Sequence, residues 1–130
     1  MSSILFLSVE DVLVIHERVI LEFGGELGLR DRGLLESAVS MPCSMFSGSF
    51  LHSGLSEMAG AYHFHLCSNH AFIDGNKRVA VASAEIFLLI NDHELCAPDD
   101  SLIELTLDLA MGESTKEHVI EFYKNHVQAL

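Results

Sequence analysis

The sequence predicts an all-α fold of about six helices, packed around one buried central helix. Three observations lead to this prediction. Residues 76–90 contain no Gly or Pro and carry apolar side chains on nearly every face, which is typical of a helix surrounded by other helices. The other long segments repeat apolar residues at helical spacing, and capping signals mark their ends. Almost no strand pattern is present outside residues 42–54.

Composition limits the possible classes of protein. The 130 residues suffice for one hydrophobic core, so we expect a single domain over residues 1–130, and a hydrophobic share of 49% argues against disorder. A net charge of −12 argues against direct nucleic-acid binding through a broad basic face. No signal-peptide pattern and no bilayer-length apolar run is present, so we expect a cytoplasmic protein without a membrane partner. The three scattered cysteines predict free thiols.

The first predicted helix follows a short apolar lead-in at residues 4–7. Ser8, with Asp11 three residues later, predicts a capping box, and Gly24-Gly25 predicts that the helix ends near Phe23. His16 lies close to the apolar face, so we expect a core or rim histidine with satisfied hydrogen bonds there. The inner stripe is expected to comprise Val12, Ile15, Val19 and Phe23, widened by Leu13 and Ile20.

Asp31 predicts the cap of a second helix that reaches about Met41. Arg30 and Arg32 form a close basic pair beside this cap. They either contact phosphate or form ion pairs with nearby carboxylates, namely Glu26, Asp31 and Glu36. Residues 42–54 then mix small polar residues with a few large apolar ones, which indicates a flexible loop or a small hairpin.

Three further helices are predicted around the central one, at residues 55–67, at residues 101–110 and from a capping box at Ser114 and Glu117 to about Val127. His63 and His65 in the first of these project to different sides, so we do not expect them to share a metal ion. The expected inward residues are Leu55, Met58, Ala59, Tyr62 and Leu66, then Leu102, Leu105 and Leu109 helped by Ile103 and Leu107, and finally Val119, Ile120, Phe122 and Tyr123.

The candidate functional residues lie in the loop that enters the central helix. Asn76 occupies the expected N-cap position, and the first amides of a helix form an anion site at the positive end of its dipole. Gly75 allows a phosphate to approach the backbone closely. Lys77 and Arg78 add two cations where cations are unfavourable for the helix itself, in a chain with only 7 Lys and Arg against 19 Asp and Glu. These features predict a phosphate-bearing ligand.

Two more residues, His70 and Asp74, turn this anion site into a candidate active site. His70 can act as a general base near neutral pH. Asp74 is a hard oxygen ligand suited to the Mg²⁺ that accompanies nucleotide phosphates. Phe72 is expected to be a structural anchor that fixes the loop against the core. Together these residues place a candidate general base and a candidate Mg²⁺ ligand beside the anion site.

The segment His70-Ala71-Phe72-Ile73-Asp74-Gly75-Asn76-Lys77-Arg78 resembles the Fic/Doc motif H-x-F-x-[D/E]-[G/A]-N-[G/K]-R. A Lys at position 77 is similar to the death-on-curing (Doc) branch. Residues 23–25, 28–31 and 34–38 also resemble the amino-terminal part of Doc-type chains. The resemblance implies the Fic/Doc fold, with residues 42–54 as a flap that aligns a target segment by backbone pairing. Without that role the segment is an ordinary surface loop.

The resemblance also implies a function, that of a toxin which uses Mg²⁺ and transfers a phosphoryl group from a nucleoside triphosphate, such as ATP, to a hydroxyl of a target protein. Translation elongation factor Tu is the implied target class. His70 is then the general base, Asp74 holds Mg²⁺, and Lys77 with Arg78 stabilises charge on the phosphoryl group, while Gly75 and Asn76 supply backbone and side-chain donors. A small antitoxin, whose disordered tail folds onto an apolar groove, is the implied inhibitor in trans.

Two alternatives remain open. AMP transfer, the commoner Fic chemistry, uses the same His and Asp with the nucleotide reversed, but the long cationic Lys77 occupies space that a Gly leaves for the far phosphates. A catalytically idle binding module is the other alternative, and two departures from Doc-type kinases keep it open: Ser68 replaces an Arg two residues before the motif His, and Ala82 replaces an Asn four residues after the final Arg. Arg30 or Arg32 could substitute for the missing arginine.

Overall fold

The protein is described by a computed structural model over residues 3–130, and this range contains six α-helices. They are α1 Val9–Phe23, α2 Arg32–Ser40, α3 Leu55–Ser68, α4 Asn76–Ile90, α5 Asp99–Ala110 and α6 Lys116–His126. Two antiparallel strand pairs accompany them, β1 Met45–Phe46 with β2 Ser49–Phe50, and β3 His93–Leu95 with β4 Val127–Ala129. The predicted all-α class is confirmed, and the small hairpin predicted within residues 42–54 is present as β1 and β2.

Helix α4 is the centre of the molecule and packs against α3, α1, α5 and β3. Its inner side chains have no exposed area because these four elements cover them; they are Val79, Ala80, Ser83, Ala84, Phe87 and Leu88. The expectation that every face of this helix is covered is wrong at its last turn, where Leu89 and Ile90 are 51% and 41% exposed.

The caps of the helices agree with the sequence at α1 and at α2, where Asp31 forms the predicted cap, and differ at two other helices. Ser8 and Asp11 form the predicted capping box of α1. The predicted cap at Asn76 is wrong, because Gly75 occupies the N-cap position of α4 in the left-handed conformation and Asn76 is the first helical residue. The predicted cap at Ser114 is also wrong, since the Thr115 side chain accepts the hydrogen bond from the first turn of α6.

Two expectations about burial and one about strands also need correction. Phe23 is exposed, because the last turn of α1 extends past the core. On α5, Ile103 and Leu107 are exposed because they lie on the face turned away from α3 and α4. The last helix ends at His126, in agreement with the predicted end at about Val127, but the strand that Val127 begins and that pairs with β3 was not predicted. A pair of three-residue strands is too short to show the alternation from which strands are predicted.

A buried polar network joins α3, α5 and α6. The two ring nitrogens of His63 lie 2.6 Å from the Tyr123 hydroxyl and 3.0 Å from the Thr106 hydroxyl. Burial lowers the pKa of His63 to about 4, so its ring stays neutral. The three cysteines are free thiols. Within residues 3–130, every helix is too short or too polar to cross a membrane.

Candidate active site at the head of helix α4

The loop of residues 69–75 is held in place by the side chain of the first residue of α4. The Asn76 amide group donates to the Phe72 carbonyl at 2.9 Å, and its oxygen accepts from the Phe72 amide at 3.0 Å. Both polar groups of this buried side chain are therefore engaged within the protein. Asn76 was expected to offer side-chain donors to a ligand, whereas the structure leaves its backbone N–H, one of the first amides of α4, for that purpose.

Two stacked aromatic rings support the loop on the side that faces α1. His16, on α1, is 3% exposed and stacks on Phe72 with 3.8 Å between ring centroids. Its Nε2 lies 2.7 Å from the carbonyl oxygen of Asp74, so the Nε2–H tautomer donates there. Phe72 is 2% exposed. His16 is thus the satisfied core histidine that the sequence predicted, and it carries the loop on α1.

The carboxylate of Asp74 is oriented by two backbone amides. Glu26 donates to Oδ2 at 3.1 Å and Gly75 donates to Oδ1 at 2.8 Å. These hydrogen bonds, that of Glu26 first, hold the pKa of Asp74 below its ordinary value, so the group is anionic at neutral pH. The close approach of residues 25 and 26 to Asp74 requires glycine at position 25, because a Cβ there would lie 2.7 Å from the Asp74 Oδ2.

The donor set at Asp74 fits a magnesium ion shared with phosphates. Each carboxylate oxygen accepts one amide and retains a lone pair for a cation. Among residues 3–130, no group of three or more His, Cys, Asp or Glu could hold a metal ion by itself. Mg²⁺ in nucleotide sites commonly uses one or two carboxylates, substrate phosphates and water, and Asp74 can supply such a carboxylate.

A cavity of about 340 Å³ opens at the head of α4. The motif residues Asp74 to Arg78 form one side of it, and the end of α1 with Gly24 and Gly25 forms the other. The Arg78 guanidinium lies over the Phe23 ring, 4.4 Å from its centroid, and so remains within the cavity wall. Within the described residues no carboxylate pairs with Lys77 or Arg78. Two cations and the first amides of α4 therefore face a space that can hold an anion.

The structure does not place His70 in this cavity. It stands at the opposite end of the loop, exposed to solvent, and is not among the residues that line the cavity. Its backbone has a φ of +48°, in the left-handed region that few residues other than glycine adopt. The candidate site thus has two parts, an anion cavity at residues 74–78 and an exposed imidazole at residue 70.

The connection between α1 and α2 braces both parts. Leu29 pairs with Phe72 in an isolated β-bridge, and the amides of Arg30 and Asp31 both donate to the Ala71 carbonyl, at 2.8 and 3.0 Å. The Arg30 side chain donates from Nε to the His70 carbonyl at 2.7 Å. Arg32 instead forms ion pairs with two exposed carboxylates. The pair with Glu36 was predicted, and the pair with Glu10 was not.

Sequence reasoning missed the contributions of Phe23, Gly25 and Glu26 to the site. Phe23 was placed in the core, Gly25 was interpreted only as a helix terminator, and the Glu26 amide contributes through its backbone alone. For Phe23 and Gly25 the available signal was the further resemblance at residues 23–25, beside residues 28–31 that lie against the motif.

Comparison with known proteins gives two consistent results. The model of the Fic/DOC family matches residues 6–88. "Toxin Doc" of Mycolicibacterium smegmatis is 43% identical over 112 residues, which cover 86% of this chain and 82% of that protein. "Protein kinase doc" of Escherichia phage P1 is 28% identical over 115 residues, or 88% and 90% of the two chains. The likeness therefore extends over nearly all the helices and not only over the motif.

Proposed function

This chain belongs to the Fic/DOC family, in its Doc branch, and from that premise we propose that it is a toxin that acts as a protein kinase. It transfers the γ-phosphoryl group of ATP, or of another nucleoside triphosphate, to a hydroxyl of a target protein. The observation that carries the proposal is the cavity at the head of α4, where Asp74, Lys77 and Arg78 converge on one space.

The cavity supplies the binding of phosphate. The first amides of α4 point towards it with the positive end of the helix dipole, and Gly75 begins that turn at a left-handed φ of +78°, where a Cβ would meet Ile20 and His16. Lys77 and Arg78 neutralise charge that develops on the phosphoryl oxygens during transfer. Asp74 would hold Mg²⁺, which would offset the charge of the phosphates when it is bound.

His70 serves as the general base in this proposal. Its exposure at the end of the loop suits a group that must meet a hydroxyl on another protein. The imidazole takes the hydroxyl proton as the oxygen forms a bond to the γ-phosphorus. The bond between that phosphorus and the β–γ bridging oxygen breaks, and the nucleoside diphosphate leaves with its electron pair.

The proposal assigns two protein partners. The target is a translation elongation factor, the class implied by the Doc resemblance, so the reaction takes place in the cytoplasm. The exposed β1–β2 hairpin, with Met45 and Phe46 60% and 75% exposed, supports a flap that receives a segment of the target. An antitoxin acting in trans neutralises the enzyme; its expected partnership is supported by the name "Toxin Doc" of the M. smegmatis relative.

Transfer of labelled phosphate tests the proposal. The purified chain is incubated with Mg²⁺, a lysate and ATP labelled at either the α- or the γ-phosphate. We expect γ-label, and not α-label, in one target protein, and loss of that signal in His70→Ala. His118→Ala is the matched control, because this exposed histidine lies on α6, which contributes nothing to the cavity. Transfer of α-label would establish AMP transfer instead, and no transfer of either label would favour an idle binding module.

A further inference from the structure

We propose that Arg30 is a positioning residue for His70, holding the backbone of the general base in its active conformation. The inference rests on the proposed function, since it assigns a role to Arg30 in the same transfer reaction. Its basis is the hydrogen bond of 2.7 Å from the Arg30 Nε to the His70 carbonyl. The donor is charged, and charge-assisted hydrogen bonds of this kind are shorter and stronger than neutral ones.

The conformation of His70 explains why such a contact is needed. A histidine at φ +48° is in a sparsely populated region, and residues keep such conformations only where surrounding contacts determine them. His70 is exposed, so packing around its side chain cannot supply those contacts. The restraint must therefore act through its backbone.

Arg30 binds two consecutive carbonyls of the loop. Its side chain reaches the carbonyl of His70, and its own amide donates to the carbonyl of Ala71 at 2.8 Å. Fixing both oxygens fixes the two peptide planes that follow the His70 Cα. Because the side chain of His70 leaves from that Cα, the direction of the imidazole depends on this pair of hydrogen bonds.

The same geometry argues against Arg30 as a substitute for the arginine that Ser68 replaces. Arg30 does not line the cavity at the head of α4, and its Nε is engaged by a carbonyl. Arg32 lies two residues further on and turns to Glu10 and Glu36 on the surface. It offers a control with the same side chain and a similar place in the sequence.

Steady-state kinetics separate positioning from phosphate binding. For Arg30→Ala we expect kcat to fall on the order of 10- to 100-fold, the effect of a misplaced catalytic group, while the KM for ATP changes less than about twofold. Arg30→Lys should recover part of the loss, because an ammonium group can still donate to a carbonyl. Arg32→Ala should leave both constants unchanged. An unchanged kcat in Arg30→Ala, or a change confined to KM, would overturn the proposal.

Nuclear magnetic resonance tests the contact without relying on activity. In the wild-type chain, the Arg30 Nε–H should exchange with water more slowly than that of the exposed Arg18. Arg30→Ala should shift the backbone resonances of His70 and Ala71, whereas Arg32→Ala should not. If the wild type transfers no phosphate but these signals behave as expected, the proposed function fails and the contact stands. Rapid exchange at Arg30 Nε in the wild type contradicts the inference even if Arg30→Ala does not fold.

Discussion

Both polar groups of the Asn76 side chain are bonded to the backbone of Phe72, which ties the first turn of α4 to the loop that precedes it. Asn76→Ala leaves a buried amide and a buried carbonyl without partners. We expect it to lower the free energy of unfolding by about 1–3 kcal/mol, measured by urea titration, and to reduce transfer activity as the loop loosens. The exposed Asn125→Ala on α6 is the control and should change stability by less than about 0.5 kcal/mol. Equal unfolding midpoints for the two variants would refute the role of this clamp.

Substitutions at the two glycines after α1 distinguish the effect of backbone strain from that of steric obstruction at Asp74. Gly24 and Gly25 both have positive φ, at +85° and +121°, but only at Gly25 does an added Cβ meet the Asp74 carboxylate. Gly25→Ala should displace that carboxylate from the Glu26 amide and raise the Mg²⁺ concentration for half-maximal transfer by roughly tenfold, as loss of a group that orients a metal ligand does. Gly24→Ala should change stability without changing the Mg²⁺ requirement. The same Mg²⁺ dependence in both variants would disprove the orienting role.

His16 supports the loop by stacking and by hydrogen bonding, and two substitutions distinguish the contributions. His16→Phe keeps a ring against Phe72 and loses the bond to the Asp74 carbonyl, so we expect a loss of about 1–2 kcal/mol in unfolding free energy. His16→Ala also leaves a cavity and should lose about 3 kcal/mol or more. Chemical denaturation gives both values. A larger loss of unfolding free energy in His16→Phe than in His16→Ala would show that stacking contributes nothing.

The buried His63 makes stability depend on pH. Its folded pKa is about 4, below the ordinary 6.5 of the unfolded chain, because burial disfavours the charged ring. The unfolded state therefore binds the proton first. Above pH 6.5 the free energy of unfolding keeps the full contribution of His63. As the pH drops from 6.5 towards 4, that contribution is lost, which lowers the free energy of unfolding by about 3 kcal/mol. Burial lowers the pKa of His65 in the same direction, to about 4, and adds to the effect.

Unfolding in urea at a series of pH values measures this dependence. Replacing the titratable ring by His63→Gln should lower stability at pH 7, because the network to Tyr123 and Thr106 is disturbed. It should also flatten the decline between pH 6.5 and 4. The exposed His118→Gln serves as the control and should retain the slope of the wild type. An identical slope in His63→Gln would show that another group causes the acid sensitivity.

Local signals in the sequence were sufficient to predict the six helices and the loop that precedes α4. The Ser8 capping box, the uninterrupted segment from Asn76 to Ile90 and the glycines at helix ends each depend on neighbours within a few residues, so their physics can be inferred directly. The exact cap of α4 was missed because Asn76, a good capping residue in general, uses its side chain on Phe72 instead.

The contacts that hold the site together could not be inferred in the same way. His16 bonds to a residue 58 positions away and Arg30 to one 40 positions away, and no local pattern specifies such partners. Phe23 fits the apolar stripe of α1, yet the helix continues beyond the core there and its ring supports Arg78. The pairing of β3 with β4 likewise depends on the return of the chain after α6.

The position of a bound nucleotide tests the central claim most directly. A crystal structure of the chain with Mg²⁺ and a non-hydrolysable ATP analogue should show the phosphates in the cavity between Phe23 and the first turn of α4. Lys77 and Arg78 should contact phosphate oxygens, and Asp74 should coordinate the metal. Phosphates bound at any other place, with this cavity empty, would contradict the account.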